Sequence, residues 1–432
     1  MPLPNHRFGN FNSLLFSFEF PVQSYTLAFY GIKDEIMKYK TLLFLLVILA
    51  LLSCKDRDKA IDENSNFQWK KYSYQNSEFK TNIDSLNFKL EKGIYGYIDE
   101  VFISKNDSII FHNKFNLNYP TISKNKKGKM GCGSNMCEDS SEITTYNYYH
   151  PKYHPYYINS DLHTLQSITK SVASTIIGTA IQNHDLKGVH TNVYQFFRDY
   201  SLSDSIKRHL ESTTLENILT MELGLRWKEL GMSLEMETNV SEMELSNNWV
   251  SYTLQQPVEA KPGTIWNYNS GASQLLSQVI KTATNKTIDD YGNQSLFNKL
   301  NIKEYYWKQT PSKLPDTEGG LYLKAEDLAK IGLLYLQDGV WNKERLLPKN
   351  WVKDAFYKHV EDIYQDGGKE GYGYQWWLTG DESPLAVGLG YGNQILVIIP
   401  EKNIVGVIYA WNVFDNKAKY IFRDFVDILQ QL

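Results

Sequence analysis

Two pairs of short apolar runs, one near each end of the chain, restrict the fold before any motif is considered. Val101-Phe102-Ile103 and Ile109-Ile110-Phe111 flank Lys105-Asn106-Asp107-Ser108, while Ile395 to Ile399 and Ile404 to Tyr409 flank Pro400-Glu401-Lys402-Asn403. Each pair reads as a β-hairpin, two apolar strands closed by turn residues. The chain then ends in an amphipathic helix, with Ile421, Phe422, Phe425, Ile428 and Leu429 at helical spacing. Between the hairpins the apolar periodicity is helical. This order predicts an α/β (α+β) domain whose single antiparallel sheet is built from both ends, flanked by helices, with a helical insertion over about residues 184–315. A chain of 432 residues, 42% hydrophobic and 14% aromatic, can bury an enzyme-sized core and is neither disordered, collagen-like nor a multi-span membrane protein. Its 45 basic and 49 acidic residues are interspersed for a net charge of -4, so no footprint for a phosphate backbone exists and nucleic acid is not an expected partner.

The N-terminal residues read as an address. From Met37, a second possible start, Lys38 and Lys40 form a basic region, Thr41 to Leu52 an apolar core, and Leu51-Leu52-Ser53-Cys54 its end. An apolar core this short does not comfortably span a bilayer, so residues 37–53 read as a secretory signal. Its end resembles a bacterial lipoprotein lipobox, which implies that Cys54 is lipidated and becomes the new N-terminus; an uncleaved amphipathic anchor or a chance apolar run is the alternative. Residues 1–36, with Glu19 and Pro21 inside their apolar stretch, read as an over-extended start. The polar segment 54–90 reads as a tether to the domain at 91–432. The expectation is an exported bacterial lipoprotein, periplasmic or at the cell surface, anchored to the membrane through lipid.

Export changes how the other cysteines read. Cys132 and Cys137 lie in GCGSNMC beside the lysine-rich stretch Lys124 to Lys129, which has loop composition. A disulfide is the leading reading, with free thiols or a metal pair left open. Zinc would need two more ligands, and His150 lacks the usual spacing. His150, His154 and His163 cluster in sequence, but Pro151 and Pro155 break any helix that would align them, so no metal is expected.

The chemistry candidates lie between the hairpins. No G-x-S-x-G, H-E-x-x-H, Walker loop, G-x-G-x-x-G or EF-hand loop occurs. S-x-x-K occurs three times, at Ser77 to Lys80, Ser123 to Lys126 and Ser167 to Lys170. Only the third opens a helix, in which Ile168, Val172, Ile176 and Ala180 define a buried face. Residues three apart share a helix face, so the Lys170 amine can reach the Ser167 hydroxyl. The unpaired amides of the first turn favour an oxyanion there and disfavour an ammonium, so the pKa of Lys170 is expected to fall towards that of a useful base.

Lys261-Pro262-Gly263-Thr264 reads as a turn, Ile265 to Tyr268 as a short strand, and Ser270-Gly271 as the lead into a helix carrying Ala272, Leu275, Leu276, Val279 and Ile280. Ser167-x-x-Lys170 together with Tyr268-Asn269-Ser270 resembles the paired motifs of the serine β-lactamase-related hydrolases, a superfamily of class C β-lactamases, DD-peptidases, family VIII carboxylesterases and nylon-oligomer hydrolases. Thr214 to Met221, Gly319-Gly320 with Ala325 to Gly332, Gly371 to Leu378 and Gly390 to Gln394 resemble further stretches of that superfamily, and the resemblance covers roughly residues 91 to 432. It implies a β-lactamase/DD-peptidase-like fold in which Ser167 is the nucleophile, Lys170 its base or proton relay and Tyr268 the second base. Ser270 stands where many relatives have Asn. The implied oxyanion hole uses the backbone N–H of Ser167 and that of a residue on the Gly390 strand, Tyr391. No cofactor is required.

One motif departs from the pattern. Where β-lactamases and penicillin-binding proteins carry Lys-Thr-Gly or a close variant, the aligned stretch is Gly388-Leu389-Gly390, with neither cation nor hydroxyl. Those groups bind the substrate carboxylate in the penicillin-recognising branches, so a neutral ester or amide is the expected small-molecule substrate, with Leu389 in contact with it. Trp376-Trp377 and the many tyrosines read either as the lining of a carbohydrate-binding cleft or, as aromatic strands more often are, as core, although one of two adjacent strand residues must face away from the other. The rivals are a penicillin-interactive DD-peptidase or β-lactamase, and a non-catalytic binding lipoprotein of the same fold.

Overall fold

Both expected hairpins form, and they lie side by side. The computed structural model describes residues 67–71, 79–115, 117, 160–229, 238–380, 385–412 and 419–432. The signal segment, Cys54, Cys132, Cys137, His150 and His154 lie outside the described residues. All described residues belong to one compact unit, Ser65–Leu432.

The strands in chain order are β1 (Lys70–Lys71), β2 (Ile98–Lys105), β3 (Ser108–Lys114), β4 (His163–Thr164), β5 (Tyr306–Trp307), β6 (Leu321–Leu323), β7 (Val340–Trp341), β8 (Glu344–Arg345), β9 (Gly371–Tyr372), β10 (Trp377–Thr379), β11 (Leu385–Gly390), β12 (Gln394–Ile399) and β13 (Ile404–Ala410). The main sheet has the order β1-β3-β2-β13-β12-β11-β10-β9, so the N-terminal hairpin pairs directly with the C-terminal one. The β2–β13 ladder runs antiparallel from Ile404 opposite Lys105 to Ala410 opposite Ile98. Among the described residues only the edge pair β1–β3 is parallel.

Six helices matter for the site: α1 (Lys80–Glu91), α2 (Ile168–Gln182), α3 (Asn239–Leu245), α4 (Ser270–Thr284), α5 (Ala325–Leu336) and α6 (Phe422–Gln431). Alternation along the strands gives the sheet two apolar faces. Val101, Ile103, Val397 and Ile408 pack with Ile83 and Leu86 of α1 and Phe425 and Leu429 of α6. Phe102, Leu396, Ile398, Val405 and Val407 face the opposite way, into the larger core that holds α2, α4 and α5. Helix α1 falls on the segment expected to be a tether; its Ile83, Leu86 and Leu90 are buried in the first of these layers.

Two further expectations are revised. Helix α2 is buried along its whole length from Ile168 to Ala180 and not on one face alone. Its polar residues tolerate this because each finds an interior partner: Ser171 Oγ donates to Gln375 O at 2.7 Å, Ser174 Oγ to Tyr374 O at 2.8 Å, and Thr179 Oγ1 pairs with Ser295 Oγ at 2.8 Å. Residues 265–268 form no strand. Their neighbourhood is tied to an adjacent loop instead, with Asn267 N donating to Met221 O at 2.9 Å and Asn267 Nδ2 to Trp227 O at 2.8 Å.

Candidate active site

The three-stranded sheet β4-β6-β5 delivers Ser167 to the front of the main sheet. Leu165 N donates to Leu321 O at 2.9 Å as the chain leaves β4. Gln166 then takes a left-handed conformation, φ 49°, unusual for a residue with a side chain and a sign of a turn over-determined by its surroundings. Here the surroundings include Thr164, whose Oγ1 accepts from Gln166 Nε2 at 2.9 Å. Ser167 follows as the cap of α2, and the amides of Ile168, Thr169 and Lys170 are taken by Leu165, Gln166 and Ser167 carbonyls. The sharp turn leaves Ser167 half-buried at a helix start while Lys170 is only 1% exposed.

Lys170 Nζ donates to Ser167 Oγ at 2.9 Å and to Glu318 O at 2.7 Å, with Glu318 Oε2 at 3.4 Å. The Tyr268 ring lies 5.2 Å from Lys170 Nζ, and its hydroxyl feels both Ser167 and Lys170. The structure therefore brings together Ser167, Lys170 and Tyr268 from distant parts of the chain. The expected fall in the pKa of Lys170 does not occur. Burial does pull it down, but the fields of Tyr268, Glu318 and Glu229 outweigh burial and hold it above the ordinary lysine value. Burial likewise raises Tyr268, against the opposing pull of Lys170.

Ser270 is the first residue of α4, behind Tyr268. Its Oγ donates to Glu229 Oε1 at 2.6 Å and its backbone N to Glu229 Oε2 at 2.9 Å, an oxygen that also accepts from Trp227 Nε1 at 2.7 Å. The Ser270 hydroxyl is thus committed to a carboxylate at a helix N-terminus, a favourable place for negative charge. Asn269 caps the same helix through Ala272 N at 2.8 Å.

An aromatic wall continues from Tyr268: Trp377 stacks on it at 5.3 Å, and Trp266 and Tyr372 pack within 6.5 Å of it. Of the adjacent tryptophans, Trp376 is fully buried and Trp377 joins this wall. On β11, Gly388 and Gly390 face the site. A Cβ on Gly388 would lie 3.2 Å from Ile168 Cγ2, and one on Gly390 only 2.3 Å from Leu165 O. Leu389 points the other way, into the layer of α1 and α6, so it does not meet substrate; strand alternation places its neighbours, not Leu389, at the cleft. Tyr391 begins the β11–β12 turn immediately beyond Gly390.

Four residues escape sequence reasoning. Glu229, Glu318 and Glu244 occur in no motif, and only the assembled loops show that they share the interior with Lys170. Gln375, within the aromatic Gly371–Leu378 stretch, clamps three segments: it accepts from Ser273 Oγ at 2.7 Å and donates through Nε2 to Ile218 O and Leu219 O, both at 3.0 Å. His163 is buried, stacked on Tyr409 at 4.6 Å, and held neutral by burial, with its pKa pulled down to about 3. Asp99 Oδ2 lies 3.7 Å from its Nε2, beyond hydrogen-bond reach, so burial decides its charge. Among the described residues no group of three or more His, Cys, Asp or Glu side chains is placed to hold a metal, and no helix is long and apolar enough to cross a membrane.

The Beta-lactamase family profile matches residues 154–423. The chain is 22% identical over 271 residues to the 6-aminohexanoate-dimer hydrolase of Paenarthrobacter ureafaciens, an alignment covering 58% of this chain and 67% of that one. Its fold superposes on EstCE1, a hydrolase with promiscuous acyltransferase activity, with a TM-score of 0.58 at 13% identity, covering 81% of this chain and 98% of the other. The octameric penicillin-binding protein homologue from Pyrococcus abyssi gives a TM-score of 0.55 at 15% identity, over 82% and 77% of the two chains.

Proposed function

Because the chain belongs to the Beta-lactamase family, a family with hydrolases among its members, we propose that it is a serine hydrolase that cleaves esters or amides of small neutral substrates through an acyl-enzyme on Ser167. The observation that carries this reading is the Lys170 Nζ to Ser167 Oγ hydrogen bond of 2.9 Å, with Tyr268 beside both. The Ser167 proton passes to the Tyr268–Lys170 pair as Oγ attacks the carbonyl carbon, and the pair returns that proton to the leaving group. The backbone N–H groups of Ser167 and Tyr391 hold the developing oxyanion, at a place consistent with the close approach of Gly390 to Leu165. Water then attacks the ester carbonyl, releasing the acid and restoring the serine. No step calls on a cofactor.

The substrate class follows from β11. With glycines at the two cleft-facing positions, the strand offers only backbone groups where a carboxylate would need a cation. A charge-assisted hydrogen bond is worth about 1.5–3 kcal/mol, so its absence costs a carboxylate-bearing lactam roughly ten- to 150-fold. The test compares kcat/KM for a short p-nitrophenyl ester and for a penicillin. The ester is expected to be preferred by at least that margin; an outright preference for the penicillin would replace this reading with the DD-peptidase or β-lactamase one.

A further inference from the structure

Lys170 is gripped from two sides. Ser167 lies on one, and on the other lies Glu318, from the loop between β5 and β6, whose backbone carbonyl and carboxylate both face the ammonium at 2.7 and 3.4 Å. That loop is not free to adjust. Asp316 Oδ1 accepts from Glu318 N and Gly319 N at 3.0 Å each. Thr317 is tied to α4 through its N to Gln274 Oε1 at 2.9 Å and its Oγ1 to Ser273 O at 2.9 Å. Behind Glu318 stands Glu244 of α3, the two carboxyls facing one another.

We propose that Glu318, backed by Glu244, is a positioning residue for the Ser167–Lys170 pair: it aims the lysine at the serine and sets how tightly the lysine holds its proton. The proposal rests on reading Ser167 as the nucleophile.

The charge inventory supports it. Lys170 is faced by Glu318, Glu229 and Tyr268. Glu318 and Glu244 are faced in turn by Asp316 and Lys308. Lys170, Glu244, Lys308, Asp316 and Glu318 are all at most 4% exposed. Four carboxyls share this interior with two lysines, and full ionisation would leave uncompensated negative charge in a site that cannot bear it. At least one proton is therefore retained. It resides on Glu244, whose pKa is driven well above the ordinary carboxyl value by burial first and by Glu318 and Asp316 after it. As an acid, Glu244 donates its O–H to Glu318, fixing that carboxylate against Lys170 and leaving its charge unneutralised. A carboxylate so held favours the ammonium. Removing its charge must weaken the hold of Lys170 on its proton, whereas a purely structural ion pair would affect stability alone.

Two isosteric variants test this. Glu318→Gln keeps the backbone carbonyl and side-chain shape but removes the charge; Glu244→Gln keeps a donor towards Glu318 but cannot ionise, which relieves the extra negative charge that arises in alkali. The readouts are the ¹³Cε resonance of Lys170 in lysine-labelled protein, assigned with Lys170→Arg, and the pH dependence of Ser167 phosphonylation by a fluorophosphonate. In Glu318→Gln the midpoint of the ammonium-to-amine titration of the Lys170 resonance, followed through the alkaline range, should fall by about one pH unit or more, a tenfold weaker hold on the proton. The rising limb of the phosphonylation profile should move the same way, and Glu244→Gln should shift both by less. An unmoved midpoint of the Lys170 titration in both variants overturns the proposal even if labelling is normal. A shifted resonance in a protein that no fluorophosphonate labels upholds the positioning role and removes the hydrolase reading instead.

Discussion

Three hydroxyl or ammonium groups converge at Ser167, and in the resting site the two that could act as base already carry protons. Tyr268 is kept neutral chiefly by burial, Lys170 is held protonated by Glu318 and Glu229, and once Tyr268 ionises its charge holds the Lys170 proton more tightly still. The pair must release one proton before it can accept that of Ser167. Since both groups are raised, the competent form appears as pH rises and is lost as pH falls. The account therefore predicts that kcat/KM for a neutral ester climbs from pH 7 into the alkaline range, by about tenfold per pH unit until the pair has titrated. A profile flat from pH 6 to 9 would mean that the base is free at neutral pH and that another group takes the proton. Ser270 does not enter this exchange, because its hydroxyl is spent on Glu229.

Among the elements, β11 constrains the site most. Gly390 is held so close to the turn before Ser167 that an added Cβ would lie 2.3 Å from Leu165 O and 2.9 Å from Gln166 Cβ. Backbone atoms cannot yield cheaply, so Gly390→Ala should lower stability by about 1–3 kcal/mol, the range for overpacking, and should cost activity beyond that loss by displacing the strained Gln166 turn. Urea melts read the first effect and kcat/KM of the folded fraction the second; a variant with full activity would show that β11 and the Ser167 turn move independently. The hairpins and the start of α2 are legible in the sequence because local periodicity and turn residues specify them. Which face Leu389 presents is not, since a one-residue change of register reverses it and only the pairing of Leu389 with Ile395 fixes it. Residues 265–268 differ from expectation for a related reason: Ile265, Trp266 and Tyr268 are residue types that suit a strand, but the segment's partners lie in the loop at 221–227, which no local pattern reveals. Glu318 and Glu244 carry no signal at all, because a buried acid is recognisable only from what surrounds it.

At the scale of the whole molecule, the two chain ends meet in the sheet, β2 beside β13, and the segment running from the N-terminus packs as α1 onto α6. We further propose that the chain is exported and anchored through lipid on Cys54, on the order of Lys38, Lys40, the apolar run and Leu51-Leu52-Ser53-Cys54. Intact mass of membrane-extracted protein should show a chain beginning at Cys54 with added acyl mass, and Cys54→Ser should abolish both. Several acyl chains anchor firmly where one holds weakly. A full-length, unlipidated protein would contradict the anchor while leaving the domain's chemistry untouched.

The central claim, that Ser167 is an activated nucleophile, is tested most directly by intact-mass measurement after brief exposure to a fluorophosphonate, on the native protein and on Ser167→Ala. The account predicts a single phosphonyl adduct on the native chain, mapped to Ser167 by fragmentation, and none on Ser167→Ala, whose unfolding free energy from urea melts should stay within about 0.5 kcal/mol of the parent because a half-buried hydroxyl is lost without a large cavity. Adduct formation at an undiminished rate in Ser167→Ala, or none on the well-folded native protein, would contradict it.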